Sequence, residues 1–370
     1  GGLLGLADLF SGGALSKYSI FALGIIPYIN ASIIFQLLTF MVPSIKELME
    51  EGESGRKKVQ QYIRYLTVAL ATVQGFAVSV GFKGAVMREG FPPMLFIAIG
   101  TLSLVAGSVL VMWLGELITE NGIGNGASML IFMGIVGRIP LYILQTYQDV
   151  SLGGTSILGV AILLGIFMLV IIGILIIQEG QRRIPVQYAK KIVGNKMYGA
   201  QSTYIPLKIN QGGVIPIIFA SSVLLFPTTI GQFYEPLARY VTWLSPTHPF
   251  YWFLFFWLIF FFTYFYTAIT FNPVELADNI RKYGGFVLGI RPGKPTAEYL
   301  ERIISRLTLV GAVFLGGIAI IPMVSAEITN VRGFTGLGGT ALLIMVGVAL
   351  DFIKQIRIYL VERNYEGLRV

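Results

Sequence analysis

The chain reads as an all-α polytopic membrane protein, one bundle of transmembrane helices joined by loops of very unequal charge. Composition is the first observation behind this. Of 370 residues, 55% are hydrophobic and 12% charged, and the mean hydropathy is +0.75, which a soluble chain of this length does not show. The second is that the apolar residues come in blocks long enough to cross a bilayer as helices. The third is that the basic residues gather in alternate loops, the pattern that orients a membrane protein with its basic loops in the cytoplasm.

Taken in order, residues 1–15 (GGLLGLADLFSGGAL) are apolar but too short to span. Leu3, Leu6, Leu9 and Phe10 would form one greasy face, and Gly12–Gly13 would end the helix, giving a small plug or re-entrant segment. Nine spans are predicted over 18–41, 66–82, 93–118, 123–142, 156–177, 214–230, 250–271, 307–324 and 339–359. Pro27, Pro216 and Pro227 lie within apolar runs, which frees backbone groups and calls for helical neighbours or a wet cavity. Asn30, Ser32 and Gln36 put polar groups on roughly one face of the first span.

The loops sort by side. Residues 43–64, 119–126, 178–213 and 272–306 fall together, and three of these loops are rich in Lys and Arg; the opposite side offers only Lys83, Arg88, Arg239 and Arg332. The basic side is therefore cytoplasmic, and the C-terminus, after Lys354 and Arg357, joins it. After Glu179 the 178–213 loop carries Arg182, Arg183, Lys190, Lys191, Lys196 and Lys208, with no acid before Gly213. Such a loop sets topology and also offers a contact surface for an acidic or RNA-bearing partner. Arg138 sits inside an apolar run beside Pro140 and is expected to snorkel to the outer interface. Asp351 and Lys354 are spaced for an i,i+3 pair.

Some chemistries are disfavoured. There is no cysteine, hence no disulfide or thiolate site, and a single histidine, His248, leaves no His-rich metal centre. GIGNG (122–126) lacks the Lys-Ser/Thr of a phosphate loop and reads as a tight turn, as does GIRPG (289–293). The spans lack the pair of mid-depth carboxylates that a proton-coupled carrier would keep.

Several strings together carry a resemblance. SGGALSKYSIFALGIIPYINASIIFQLL, EGESGRKKVQQY, MWLGELITENGIGNG, EGQRRIPVQYAKK, AQSTYIPLKINQGGVIPIIFASS, FYTAITFNPVELADNIRKYGGFVLGIRPG and ERIISRLTLVGA resemble the SecY family, central subunits of the bacterial protein-conducting channel. The resemblance implies ten spans in two inverted-repeat halves around an hourglass pore. The nine spans here would be spans two to ten, in halves 1–150 and 151–370, and one further span is expected before Gly1. Residues 1–14 would be the plug, with Leu3, Leu4, Leu6, Leu9 and Phe10 as its apolar surface. The pore ring would comprise Ile25, Ile29, Ala127, Ile131, Ile218 and Ile344, an apolar neck that seals around a passing chain. Asn30, Gln36 and Phe226 would face the lateral gate.

By the same resemblance, Arg182, Arg183, Lys190, Lys191, Lys196, Arg281, Lys282 and Arg291 would dock the SecA motor or the ribosome. SecE and SecG would be partner subunits, signal sequences and unfolded polypeptides the cargo, and the lipid bilayer the destination of membrane proteins released sideways. No catalysis and no cofactor are implied. The membrane would be the bacterial inner membrane, or the thylakoid for a plastid or cyanobacterial chain. A secondary transporter built on inverted repeats is the alternative, and a non-conducting scaffold a third possibility.

Overall fold

The computed structural model describes residues 8, 11–86, 90–188, 191–193, 196–198, 202–231, 242–244, 248–329 and 338–366. A helix occupies each of the nine expected positions. These are α1 (Ile26–Met41), α3 (Glu53–Val86), α4 (Pro93–Asn121), α5 (Gly126–Ser151), α6 (Ile157–Glu179), α7 (Ile215–Gly231), α8 (Pro249–Thr270), α10 (Lys294–Thr329) and α11 (Gly339–Glu366). Two short helices join them, α2 (Pro43–Glu50) and α9 (Pro273–Lys282). Among the described residues, six helices are long and apolar enough to cross a membrane, and a seventh span results if α1 and α2 count as one chain bent by 101°.

The first span is the main departure from expectation. Residues 18–25 form successive turns, and the helix starts only at Ile26. Pro27 stands in the first turn of α1, where its missing N–H removes no helical bond. Pro27 therefore starts a helix and does not break one. Val42 is extended before Pro43, and the chain turns there into α2.

The turns at 18–25 lie along α4 because α4 offers them small residues. A methyl group on Gly100 would overlap the Tyr18 hydroxyl, one on Gly107 the Ile20 carbonyl, and one on Gly115 would press on the Ile25 side chain. The buried Ser108 hydroxyl donates to the Gly24 carbonyl at 3.1 Å. Tyr18 takes a left-handed φ of 47°, unfavourable for a residue with a Cβ. Its ring offsets this by stacking on Phe82 and Phe96, with centroids 5.2 and 5.8 Å away, and its hydroxyl bonds Ser79 Oγ at 2.9 Å.

The bundle packs as two groups. Helices α1, α3, α4 and α5 contact one another; α6, α7, α8, α10 and α11 do likewise. The groups meet mainly where α5 touches α11, with only a light seam where α7 meets α1 and α3. One large cluster runs through both, with Ile131, Phe167, Ile217, Phe255 and Leu343 among its buried members.

The long basic loop also has a fold of its own. Strands β1 (Gln181–Tyr188) and β4 (Ser202–Lys208) are antiparallel, with β2 (Lys191–Val193) and β3 (Lys196–Tyr198) forming a small hairpin between them. Strand β5 (Gly285–Val287), from the other large loop, adds to β1, so the sheet order is β4-β1-β5. Alternation drives the pairing: Ile184 and Val186 of β1 face inward onto Leu207, Val287, Ile280 and Leu300. Pro185 is tolerated in the middle strand because β5 pairs only with residues 186–188.

Candidate functional site: two cavities with a shared wall

Two cavities in the bundle share a wall. One, of about 320 Å³, is bounded by α1, α3, α5 and α7 and is largely apolar. The other, of about 290 Å³, opens among α6, β4, α8 and α11 and is lined by Gln178, Lys208, Asn210, Asp351 and Lys354. Both are walled by Asn125, Ser128, Ile215 and Ile218, so these four side chains form the partition.

Local sequence places each wall. GIGNG closes α4 and opens α5 as a turn: Gly124 has φ 92°, and Asn125 caps α5 by accepting from Ser128 N at 3.1 Å. Thr119 Oγ1 accepts from Gly126 N at 2.9 Å, fixing the entry to α5. One turn on, Ala127 and Ile131 share a face of α5. On the opposite wall, Pro216 in the first turn of α7 brings Ile218 to the partition.

Of the six ring positions, the structure brings Ile29, Ala127, Ile131 and Ile218 to the first cavity. Ile25, 2% exposed, packs against α4 at Gly115, and Ile344, 1% exposed, is packed within the same apolar cluster. Of the gate positions, Gln36 lines the first cavity, while Asn30 is half-buried with a side-chain oxygen that has no hydrogen-bond partner among the described residues. The Phe226 side chain lies outside the described residues, as do the plug positions Leu3, Leu4, Leu6, Leu9 and Phe10.

The proposed docking residues of β1, α9 and the loop after β5 surround one small core. Arg182 and Arg183 are exposed on β1, with the Arg183 guanidinium 4.8 Å from the centre of the Tyr204 ring. Arg281 and Lys282 close the last turn of α9, where cations favour the helix dipole, and Arg281 also pairs with Asp278 at 3.4 Å. Arg291 is exposed, its carbonyl held by Thr296 Oγ1 at 2.8 Å. Lys191 and Lys196 stand on the β2–β3 hairpin, and Lys190 lies outside the described residues.

Three ionic contacts differ from, or were missed by, the sequence reading. Arg138 does not snorkel outward; Nη1 donates to Asp8 Oδ2 at 2.6 Å, because residues 8 and 11–16 dock on its helix face and supply a carboxylate there. Lys354 does not pair with Asp351 but reaches Glu179 of α6 at 2.8 Å, since α6 and α11 are packed neighbours. Glu116 of α4 is buried, its side chain 6% exposed, and both its oxygens bond Arg64 of α3 at 2.9 Å, with Gln60 adding a 3.4 Å bond. Arg64 stood among the loop charges in the sequence, and nothing there showed that it faces Glu116.

Comparison with known proteins gives consistent relationships. A family model described as SecY matches residues 19–353. The protein translocase subunit SecY of Synechococcus elongatus is 47% identical over 375 residues, covering 100% of this chain and 85% of that protein. Among solved structures, one described as a protein-conducting channel superposes with a TM-score of 0.61 at 21% identity, covering 90% of this chain and 80% of that one. Sec61 from the canine ribosome–channel complex of the endoplasmic reticulum gives 0.59 at 20% identity, over 90% and 80% of the two chains.

Proposed function

The chain belongs to the SecY family, and from that premise we propose how its geometry serves transport. It is a multi-pass membrane protein and a protein translocase channel subunit. The translocation path runs through the bundle past the two cavities, and Ile29, Ala127, Ile131 and Ile218, which line the first, form its apolar neck together with Ile25 and Ile344. The observation that carries this is that four of the six aliphatic ring positions line one largely apolar cavity, which shares a wall, Ile218 included, with a second cavity lined by Gln178, Lys208, Asn210, Asp351 and Lys354. An apolar constriction disfavours hydrated ions yet closes without bonds that a sliding polypeptide would have to break.

The halves 1–150 and 151–370 move against one another along the light α1–α7 seam, which is the lateral gate. Asn30 and Gln36 keep that seam from packing as an all-apolar interface, so a hydrophobic signal segment shifts it toward the open state. The plug is residues 1–14. The basic sheet with α9 and Arg291 is cytoplasmic and docks the SecA motor or the ribosome, while SecE and SecG complete the complex in a bacterial-type inner membrane. The energy comes from these partners, and the chain itself performs no chemistry. Ribosome-bound channels among the structural neighbours support the docking assignment. The secondary-transporter alternative gains no support from the relatives.

The test uses the cysteine-free background. Single cysteines at Ile29, Ile131 and Ile218 should cross-link to a stalled secretory precursor, whereas one at Met168, exposed on α6, should not. Equal cross-linking at all four positions would remove the path from the neck.

A further inference from the structure

Asp8 lies in the segment read above as the plug, and its carboxylate is held from two sides. Oδ2 accepts from Arg138 Nη1 at 2.6 Å, and Oδ1 accepts from Ser16 N at 2.8 Å. Gly13 N donates to the Asp8 carbonyl at 2.7 Å, and Ser16 Oγ to the Gly13 carbonyl at 3.0 Å. Residues 8 and 11–16 thus close around one carboxylate.

This turn is seated on a single face of α5. A methyl on Gly12 would stand 3.4 Å from the Gly134 Cα, and one on Gly13 would stand 3.1 Å from the Arg138 guanidinium. That guanidinium also lies over the Tyr142 ring, 5.6 Å from its centre. Gly134, Arg138 and Tyr142 recur at every fourth residue and so share a face, and Ile131 of the neck begins the same row. The helix rise puts Arg138 about 10 Å beyond Ile131. One helix therefore carries both the neck and the anchor of the turn beyond it. At the far end of the turn, Tyr18 is clamped between Phe82 and Phe96, so a displaced turn would swing from that point.

The pair is poorly hydrated, with side chains 16% and 13% exposed. Charges removed from water attract strongly, and separating them strands each without compensation unless water reaches both. Such a contact favours two states, engaged or fully parted, over a graded loosening. A passing polypeptide needs the turn away from the path, so opening works against this pair.

We infer that Asp8–Arg138 is a specificity-determining latch: its strength sets how strongly a signal segment must favour the open state before the plug leaves. This rests on the reading of residues 1–14 as a plug. The test compares Asp8→Asn, Arg138→Gln, the double variant, and the charge swap Asp8→Arg/Arg138→Asp, each assembled with its partner subunits in vesicles. Ion leak of resting channels is measured alongside translocation of precursors with intact and weakened signals.

Each single variant should raise leak and weak-signal translocation by about tenfold or more, the scale of stranding one buried charge. The double variant should add little to either single, and the swap should recover most of the stringency. Additive single effects, or variants matching the parent, would overturn the latch. Asp8→Asn preserves shape, so the outcome does not depend on how well Arg138→Gln folds. Deleting residues 1–7 separates the two readings. Leak after deletion, with pair variants like the parent, removes the latch and leaves the plug. No leak after deletion removes the plug, and the threshold role with it.

Discussion

Ile218 lines both cavities and is half-buried, whereas Ile344 is 1% exposed inside the apolar cluster. The same substitution should therefore act differently at the two sites. Asparagine at 218 faces the cavity, so it should raise resting ion permeability while the melting temperature stays near that of the parent. Asparagine at 344 buries an amide in apolar surroundings, costing about 1–3 kcal/mol, and should lower the melting temperature. Identical leak and identical melting for the two would show that burial does not divide the ring. Glu116 gives a second prediction at this scale. Arg64→Ala strands the Glu116 carboxylate, whose side chain is only 6% exposed, and leaving a buried charge unpaired costs about 3–5 kcal/mol; Glu116→Ala costs less, because the 44% exposed Arg64 side chain stays hydrated. Glu116→Ala/Arg64→Ala should be more stable than Arg64→Ala in the same detergent. A double variant less stable than both singles would mean that the residues act separately.

The basic loops act as an element because β1, β4 and β5 join them over one small core. Val186, wholly buried between β4 and β5, is the point to break. Val186→Asp puts a carboxylate into that core and should unfold the sheet without disturbing the bundle. Trypsin should then cut rapidly at Arg182 and Arg183 of β1, which pairing with β4 protects in the parent, while the helices stay protected. Cleavage at the parental rate would mean that the sheet contributes nothing to loop order. Arg291→Glu tests the docking face without unfolding it, since an exposed charge adds little to stability. Motor-driven export should fall severalfold at equal expression, and unchanged export would remove Arg291 from the docking surface.

At the scale of the molecule, the two helix groups are joined firmly at α5–α11 and lightly at the α1–α7 seam. This asymmetry suits a clamshell hinged on one side. Holding the seam shut should therefore stop transport. Cysteines at Ile29 and Ile218, which face the same cavity from opposite sides of the seam, would be bridged with a short reducible thiol cross-linker. Precursor translocation should cease and return on reduction, with neither single-cysteine protein affected by the reagent. Full transport by the bridged protein would show that the path does not widen there.

Much of this architecture was legible because a bilayer imposes strong rules on sequence. Apolar run length placed a helix at all nine expected positions before any contact was known. Pro27 misled because a proline reads alike at a helix start and within a helix until the backbone is seen. The SecY-like strings reached Ile29, Ala127, Ile131 and Ile218, yet sequence could not separate them from Ile25 and Ile344, because an aliphatic side chain carries no mark of whether it faces a cavity or a neighbour. The β1–β5 pairing joins residues about a hundred positions apart, and Asp8–Arg138, Arg64–Glu116 and Glu179–Lys354 join separate segments. Local pattern fixed what each segment is; only packing decided which charges meet, because an ion pair depends on distance in space and not on distance along the chain.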